Sequence, residues 1–301
     1  MPFNSLSENR PGAPETGLSL RSKGRISRAS ASPFPALSKG FIKYWAIFSI
    51  ELKNHFVYLA DFILSNLSVI VAYFVSVQLW LIGYGARQEV AGIHKEELIW
   101  YLLIVQVIHF SVDYTLMLNI EEDVQSGNIT NYLNKPYNYL LYTYCISSGR
   151  VVLNLIINLT ISLGMTLFFT KSFASSLSGV LQLIPTLFLG FLIHFILQCI
   201  CGIAAFWVER ATVFVWVLNT IMLVLGGGLI PVDTWPDSLK PLANYTPFSA
   251  IFYYPAKLFI HFKPDLFVRF LIGQLLWVFL LGSSLWLVYR KAIRRLDING
   301  G

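Results

Sequence analysis

Residues 180 to 208 read VLQLIPTLFLGFLIHFILQCICGIAAFWV and contain no Asp, Glu, Lys or Arg. A helix needs about 20 apolar residues to cross a bilayer, so this segment is long enough to span one. The rest of the chain has a similar character, because 55% of the 301 residues are hydrophobic, 13% are charged and the mean hydropathy is +0.62. Such values are too apolar for a soluble domain of this length and indicate an integral membrane protein.

Six segments of this kind occur along the chain, and each is longer than a typical helix of a soluble protein. Strands of a membrane barrel would instead give alternating segments of about 10 residues. We therefore predict an all-α membrane protein with six transmembrane helices. The predicted spans are Phe62 to Tyr84, Leu98 to Leu118, Val151 to Thr170, Val180 to Val208, Val213 to Ile230 and Leu266 to Tyr289.

The sequence outside the spans suggests two tails and an interfacial segment. Residues 1–37 are rich in Ser, Pro, Gly and Arg and lack an apolar core of signal-peptide length, so we expect a flexible basic tail and no cleaved signal. In residues 38–57, aromatic and aliphatic residues recur every three or four positions between lysines, which is typical of an amphipathic helix in the membrane interface. An extension of the first span is the alternative. The six-span domain then covers 58–295, and 296–301 form a second tail.

The distribution of basic residues predicts the orientation in the membrane. Lys and Arg are enriched in cytoplasmic loops, and most of the 22 fall on the inner side if the N-terminus is cytoplasmic. Both termini and the polar segment 121–144 are then cytoplasmic, as six spans require. The net charge of +6 follows largely from this bias, and we expect a lipid bilayer and no nucleic acid as partner.

The polar segment between the second and third spans begins EEDVQSGNITNYLNKP, residues 121 to 136. Ile120 and Val124 are four residues apart and flank three acidic residues, which indicates a short amphipathic helix. Gly127 permits a backbone conformation that ends this helix, and Pro136 stops the turn that follows. We predict that this ordered, acidic elbow is a docking surface. The alternative is a well-capped helix end with a solvated charge cluster.

A second unusual region follows the fifth predicted span. Gly226, Gly227, Gly228 and Pro231 end that span, and further prolines divide residues 231–262 into pieces too short to cross a bilayer. The pieces are nevertheless rich in aromatic and aliphatic residues. We predict short re-entrant helices on the external side, because irregular backbone at membrane depth must be covered by protein or face a water-filled cavity.

Ionisable residues within the predicted spans are candidates for function, since a charge inside the bilayer is costly. His109 and Asp113 are four residues apart, so we predict that they share one helix face as a buried polar pair. Local pairing or reach to the interface is the alternative. The sequence has no GxxxxGK[ST] phosphate loop, no HExxH and no GxSxG. We therefore predict no catalytic residue, no metal site and no bound cofactor in this chain.

The order of these features resembles that of the membrane subunits, or permeases, of type 2 ATP-binding cassette (ABC) exporters. The resemblance covers about residues 38–295 and includes the interfacial helix before the first of six spans. It rests further on a cytoplasmic group of motifs, DVQSG at 123–127 followed by LNKP at 133–136. An external group, GLIP, WPDSL, TPF and YYP, ends at Pro255.

The resemblance implies that residues 121–136 form a coupling helix that inserts into a separate P-loop ATPase subunit, which would bind the ATP and Mg. It also implies export across a plasma membrane, the inner membrane of a bacterium, by two permeases that enclose a pathway along their second and fifth spans. The docking residues would be Glu121, Glu122, Asp123, Val124, Gly127, Ile129, Tyr132, Leu133 and Pro136, and the candidates for a pathway or gate are Gly226, Gly227, Gly228, Pro231, His109 and Asp113.

A secondary transporter or channel without an ATPase partner is the main alternative function. Such proteins often carry paired broken helices in two related halves, whereas one break, at Gly226 to Pro231, is evident in this sequence. An intramembrane enzyme would need paired catalytic groups at one depth, and a structural scaffold is a further alternative. The aromatic, weakly charged spans favour an amphipathic or hydrophobic cargo without specifying it.

Overall fold

The computed structural model describes residues 36–55, 59–170, 173, 175–208, 210 and 212–299. The predicted basic tail lies outside the described residues except for its last two positions. Within the described ranges the chain consists mainly of helices, with one small antiparallel hairpin in which Val90 pairs with Ile93.

The elements follow one another with short connections. Two further short segments, Ala204–Phe206 and Val232–Thr234, are 3-10 turns. The helices and strands are α1 Ala36–His55, α2 Leu59–Tyr84, β1 Glu89–Val90, β2 Ile93–His94, α3 Lys95–Ser111, α4 Leu116–Gln125, α5 Ile129–Leu133, α6 Tyr139–Phe169, α7 Leu177–Leu181, α8 Leu183–Ile203, α9 Thr212–Leu225, α10 Lys240–Asn244, α11 Tyr253–Ile260 and α12 Pro264–Asn299.

Five helical stretches of the described residues are long and apolar enough to cross a membrane, by length and composition. They confirm an all-α membrane protein. The fifth predicted span is shorter than expected, since α9 has 14 residues and is about 21 Å long, against a hydrocarbon core of about 30 Å. The five stretches are Leu67–Tyr84, Lys95–Gln125, Tyr139–Phe169, Leu177–Phe206 and Pro264–Arg295.

The second span contains a break that the sequence did not predict. Helix α3 ends at Ser111, and Val112 has an extended backbone. The Asp113 carboxylate then accepts hydrogen bonds from the Thr115 backbone N–H at 3.1 Å and from its hydroxyl at 2.7 Å, which satisfies donors at the start of α4. Because helical spacing stops at the break, the prediction that His109 and Asp113 share one helix face is wrong.

Helix α3 forms the centre of the bundle. It packs against α2, α6 and α11, and its residues from Leu98 to Val105 are all buried. Trp100 contacts Phe259 of α11, with ring centroids 5.9 Å apart. A helix that is apolar and buried on every side belongs in the interior, so other helices of the chain shield α3 from lipid.

The connections lie at two opposite ends of the bundle. At one end, His261 follows α11 and contacts Glu97 in the first turn of α3, with 3.5 Å between His Nε2 and the carboxylate. The same end holds the hairpin and α7. At the other end, Thr212 at the start of α9 lies 3.2 Å from the Glu121 carboxylate of α4. The turn after α9 reaches the first half of α3, where the Tyr101 hydroxyl donates to the Gly227 carbonyl, so α9 and this turn together run from the Glu121 end of the bundle towards the other end.

Candidate functional site

The polar segment 121–136, called the elbow below, is an ordered helix-turn-helix. Helix α4 ends where the Ser126 N–H donates to the Glu122 carbonyl at 2.9 Å. Gly127 follows with φ of 75°, a left-handed conformation that strongly favours glycine. The Thr130 N–H then donates to the Gly127 carbonyl at 3.1 Å, and α5 begins. The structure confirms the predicted helix end at Gly127.

The inner face of the elbow is fastened to the bundle by polar groups. Glu121 is buried, and its carboxylate accepts hydrogen bonds from Gln125 at 3.0 Å and from the Thr212 hydroxyl of α9. The Asp123 carboxylate accepts a 2.7 Å hydrogen bond from the Tyr139 hydroxyl at the start of α6. Two of the three acidic residues predicted to supply charge to a partner are therefore engaged inside the chain.

Apolar residues complete this inner face. Ile129 is 1% exposed, so its side chain does not lie on the open surface of the elbow. Val124 is partly buried against the cluster that α4 forms with α8. Tyr132 packs against Tyr139 and Tyr142, with ring centroids 5.6 and 5.5 Å apart. Among the apolar docking candidates, Tyr132, Val124 and the half-buried Leu133 keep part of their surface open.

The outer face of the elbow carries the groups that are open to a partner. Glu122, Gly127 and Pro136 are the exposed docking candidates, and the Lys135 side chain lies over the Tyr132 ring at 4.9 Å. The docking role of these residues stays a prediction. The full set of exposed residues between 121 and 136 is Glu122, Gln125, Ser126, Gly127, Asn128, Thr130, Asn131, Asn134, Lys135 and Pro136.

A glycine of α8 sets the position of α4, and therefore of the elbow. A methyl group on Gly202 would lie 2.9 Å from the Ile120 Cβ and 3.1 Å from the Met117 carbonyl oxygen. Small residues allow close helix approach in membranes. This contact was not predicted, because a glycine within an apolar span does not by itself show which helix approaches it.

Arg150 joins three parts of the chain. Its Nε donates to the Glu51 carboxylate of α1 at 2.8 Å, and its Nη1 donates to the Thr115 hydroxyl at 2.8 Å. Nη1 also lies 3.5 Å from the Asp113 carboxylate. Arg150 thus links α1, the break between α3 and α4, and α6. The sequence did not predict this link, because Glu51 is 99 residues away from Arg150 along the chain.

His109 belongs to a different polar group from Asp113. Its Nδ1 lies 2.8 Å from the Tyr114 hydroxyl, so the two residues bridge the break from α3. The Tyr114 ring meets the buried His194 ring of α8 edge-on, with centroids 6.1 Å apart. The structure therefore does not bring together the pair predicted from sequence, and a pathway role for either residue stays a prediction.

The predicted gate glycines form a packed turn after α9. Gly227 has φ of 77°, and its carbonyl accepts a 2.7 Å hydrogen bond from the Tyr101 hydroxyl. A methyl group on Gly226 would clash with the Met222 carbonyl and lie 2.8 Å from the Phe252 ring, and one on Gly228 would lie 2.7 Å from Leu223. Pro231 is also buried. The turn is thus tightly packed, and its role as a gate stays a prediction.

This architecture defines a multi-pass α-helical membrane protein with an ordered elbow at one end. The profile of the ABC-2 family of transporter proteins matches residues 67–300, and the chain belongs to that family. The match supports an ABC permease subunit, a membrane transport component that is itself not catalytic, and it implies an ATP-binding partner in general terms. Comparison with curated proteins gave no match.

Proposed function

We propose that this chain is the permease subunit of an ABC exporter and forms half of a translocation pathway. A separate P-loop ATPase subunit, which binds ATP and Mg, docks on the elbow. One observation carries the proposal: the elbow is rigidly built, with its inner face bonded to the bundle and its outer face open. A simple connector between two spans would not need a buried glutamate, a hydrogen bond from Tyr139 to Asp123 and a packed tyrosine cluster to hold its shape.

The contacts of the elbow support transmission of movement to several spans. Glu121 bonds to α9 through Thr212, Asp123 bonds to α6 through Tyr139, and α4 packs on α8. Coupling between two sites requires an element whose arrangement both sites influence. We propose α4 as that element, because it is joined to the elbow and separated from α3 by the break at Asp113.

The proposed topology has six crossings, with α9 and the glycine turn as the fifth. This assignment is supported by the contact of Thr212 at the start of α9 with Glu121, and by the contact of Gly227 after α9 with Tyr101 in the first half of α3. Both termini then lie on the cytoplasmic side with the elbow. The external region 231–262 dips into the outer leaflet, which suits α11: it is about 12 Å long and most of its residues are buried.

A second permease, identical or related, completes the proposed pathway. Helix α9 supports this arrangement, because it presents an open apolar face that includes Val213 and Trp216, which are 64% and 76% exposed. Helix α3 is mostly covered by its own chain, so the fifth span contributes more of the contact surface than the second. Export and a plasma-membrane location, the inner membrane in a bacterium, follow from the family resemblance.

A charge reversal on the open face of the elbow tests the docking role. Tagged wild-type chain, Glu122→Arg and Asp237→Arg would be purified in mild detergent from their native membrane. Asp237 is the control because it lies in the external region, is 95% exposed on its side chain and pairs only with the nearby Lys240 at 2.8 Å among the described residues. This hydrogen bond lowers the pKa of the Asp237 carboxyl, so the control also reverses an ionised group.

We expect a co-purifying protein with a GxxxxGK[ST] sequence in the wild type and in Asp237→Arg. The amount of this ATPase that Glu122→Arg retains should be at least about tenfold lower than the wild-type amount. A tenfold loss corresponds to about 1.4 kcal/mol of binding free energy. Equal retention by both variants would contradict docking on the elbow. A wild-type preparation that contains no P-loop ATPase would favour a secondary transporter or channel.

A further inference from the structure

A groove of about 510 Å³ lies between α1, α6 and α8, apart from the elbow and the glycine turn. Its volume falls in the range of sites that hold small organic ligands. Its wall is almost entirely aromatic and aliphatic, with small polar groups from α6. The lining residues are Phe41, Tyr44, Trp45, Phe48, Tyr144, Cys145, Ser147, Ser148, Val151, Val152, Phe188, Phe191 and Phe195.

Helix α1 is held in place at both ends of the groove. Near one end, the Asn138 N–H donates to the Tyr44 hydroxyl at 3.0 Å. Near the other, α1 approaches α6 so closely that a methyl group on Gly149 would lie 3.3 Å from the Phe48 carbonyl oxygen. Arg150 adds its hydrogen bond to Glu51 of α1. The groove is therefore a fixed feature of the packing between these helices.

The dimensions of the groove match half of a bilayer. Its α6 wall runs from Tyr144 to Val152, which is about 12 Å along the helix axis, and half of the hydrocarbon core is about 15 Å. Phe41, Trp45 and Phe188 form open edges and are 70%, 59% and 57% exposed. An apolar groove of this length that opens sideways suits a single acyl chain of one leaflet. If the groove were empty, its lining side chains would lose the dispersion contacts that an acyl chain provides.

Polar and basic groups lie at the elbow end of the groove. The Tyr44 hydroxyl accepts from Asn138 and keeps its own hydrogen to donate. Lys135, three residues before Asn138, lies over the Tyr132 and Tyr137 rings at 4.9 and 5.9 Å. Its ammonium forms no ion pair with another residue of the part that the structure describes. Basic groups at a membrane surface attract anionic headgroups.

We propose that this groove binds one acyl chain of an anionic phospholipid from the leaflet on the elbow side, with the headgroup beside Lys135 and Tyr44. The site would fill the space between α1 and the bundle. The proposal depends on insertion of the chain in a bilayer. It shares the exposed Lys135 with the elbow, but its test uses vesicles that contain no ATPase, so the two proposals can fail separately.

Photo-crosslinking in vesicles tests the site. The full chain would be reconstituted in phosphatidylcholine vesicles with a small fraction of phosphatidylglycerol that carries a diazirine on its acyl chain, irradiated, digested and mapped by mass spectrometry. We expect the adducts to concentrate in peptides that contain residues 41–48 and 144–152. Ser148→Trp, which fills the groove, should lower them at least tenfold. Ile156→Trp is the matched control, because it adds the same side chain to an exposed position of α6.

Two further comparisons make the result decisive. Lys135→Gln should lower the preference for diazirine-labelled phosphatidylglycerol over the equally labelled phosphatidylcholine about fivefold, while acyl adducts stay in the groove. The proposal would be overturned if the wild-type adducts were spread evenly over the exposed apolar residues of α12, such as Phe279 and Trp286. This outcome does not depend on whether Ser148→Trp folds. Equal labelling of the groove in a folded Ser148→Trp variant, judged by its size-exclusion profile, would also overturn it.

Discussion

Gly202→Ala is expected to disrupt the contact between α8 and α4 that positions the elbow. The added methyl group would lie 2.9 Å from the Ile120 Cβ, 3.0 Å from its Cγ2 and 3.1 Å from the Met117 carbonyl oxygen. Ordinary van der Waals contact begins at a larger separation. Since the Cβ and the carbonyl are fixed by the α4 backbone, rotation of a side chain cannot relieve the clash. Helix α4 must move away from α8 to accommodate the methyl group.

Two opposing contributions determine the size of the effect. Alanine is favoured over glycine within a helix by about 0.5–1 kcal/mol, and Gly164→Ala should show this gain alone, because its methyl group would meet nothing within 4 Å. Gly202→Ala has the same gain but also carries an overpacking cost of about 1–3 kcal/mol. The free energy of unfolding should therefore be about 1–3 kcal/mol lower for Gly202→Ala than for Gly164→Ala.

The measurement is reversible denaturation of both variants in mild detergent, followed by circular dichroism. Ile120→Gly removes both the Cβ and the Cγ2 that the new methyl group would meet, so the double variant should be more stable than the sum of the single changes predicts. A coupling free energy of about 0.5–3 kcal/mol is expected for groups in contact. Equal stability of Gly202→Ala and Gly164→Ala, or a coupling of zero, would refute the packing argument.

Two other substitutions test features near the break and the glycine turn. Arg150→Met leaves the buried Asp113 carboxylate without its cation. Removal of one partner of a fully buried pair costs about 3–5 kcal/mol, but Arg150 is partly exposed, so the cost should be smaller. We expect the free energy of unfolding in detergent to fall by about 1–3 kcal/mol. Partial recovery in Arg150→Lys would support the ion pair, and an unchanged midpoint would contradict it. Gly227→Ala places a methyl group 2.9 Å from the Tyr101 hydroxyl at a φ of 77°, so it should lower stability by about 1–2 kcal/mol. Gly83→Ala should not lower stability, because the space around Gly83 is open. Equal melting temperatures of Gly227→Ala and Gly83→Ala would contradict this account of the turn.

Much of the fold was predictable because a bilayer imposes strong constraints on sequence. A segment such as 180–208 can cross a membrane only as a helix, since its backbone groups must be satisfied within the chain. The end of α4 was predictable for a similar reason. Gly127 lies between a helical pattern and a polar turn, and glycine is the residue that most readily adopts its left-handed conformation.

The features that were not predicted depend on distant partners. The break at Val112 involves no glycine or proline. It is stabilised by Asp113, which accepts hydrogen bonds from Thr115 just before α4 and lies beside Arg150 of another helix. Glu121 seemed to be a surface charge because it stands beside two other acids. Its burial depends on Thr212, which is 91 residues away. Local patterns thus predicted the elements, whereas the inward-facing side of the elbow required the tertiary structure.

The most direct test of the central claim is to identify what contacts the open face of the elbow in the native membrane. A photo-crosslinking amino acid would be placed at Asn128, which is exposed on the elbow, and in a second preparation at Arg87, which is exposed at the opposite end of the bundle. We predict a covalent adduct between Asn128 and a protein with a GxxxxGK[ST] phosphate loop, and none from Arg87. The claim that the elbow couples this permease to ATP hydrolysis would be contradicted if no P-loop ATPase were crosslinked to Asn128. It would also be contradicted if ATPase adducts formed equally at Asn128 and Arg87.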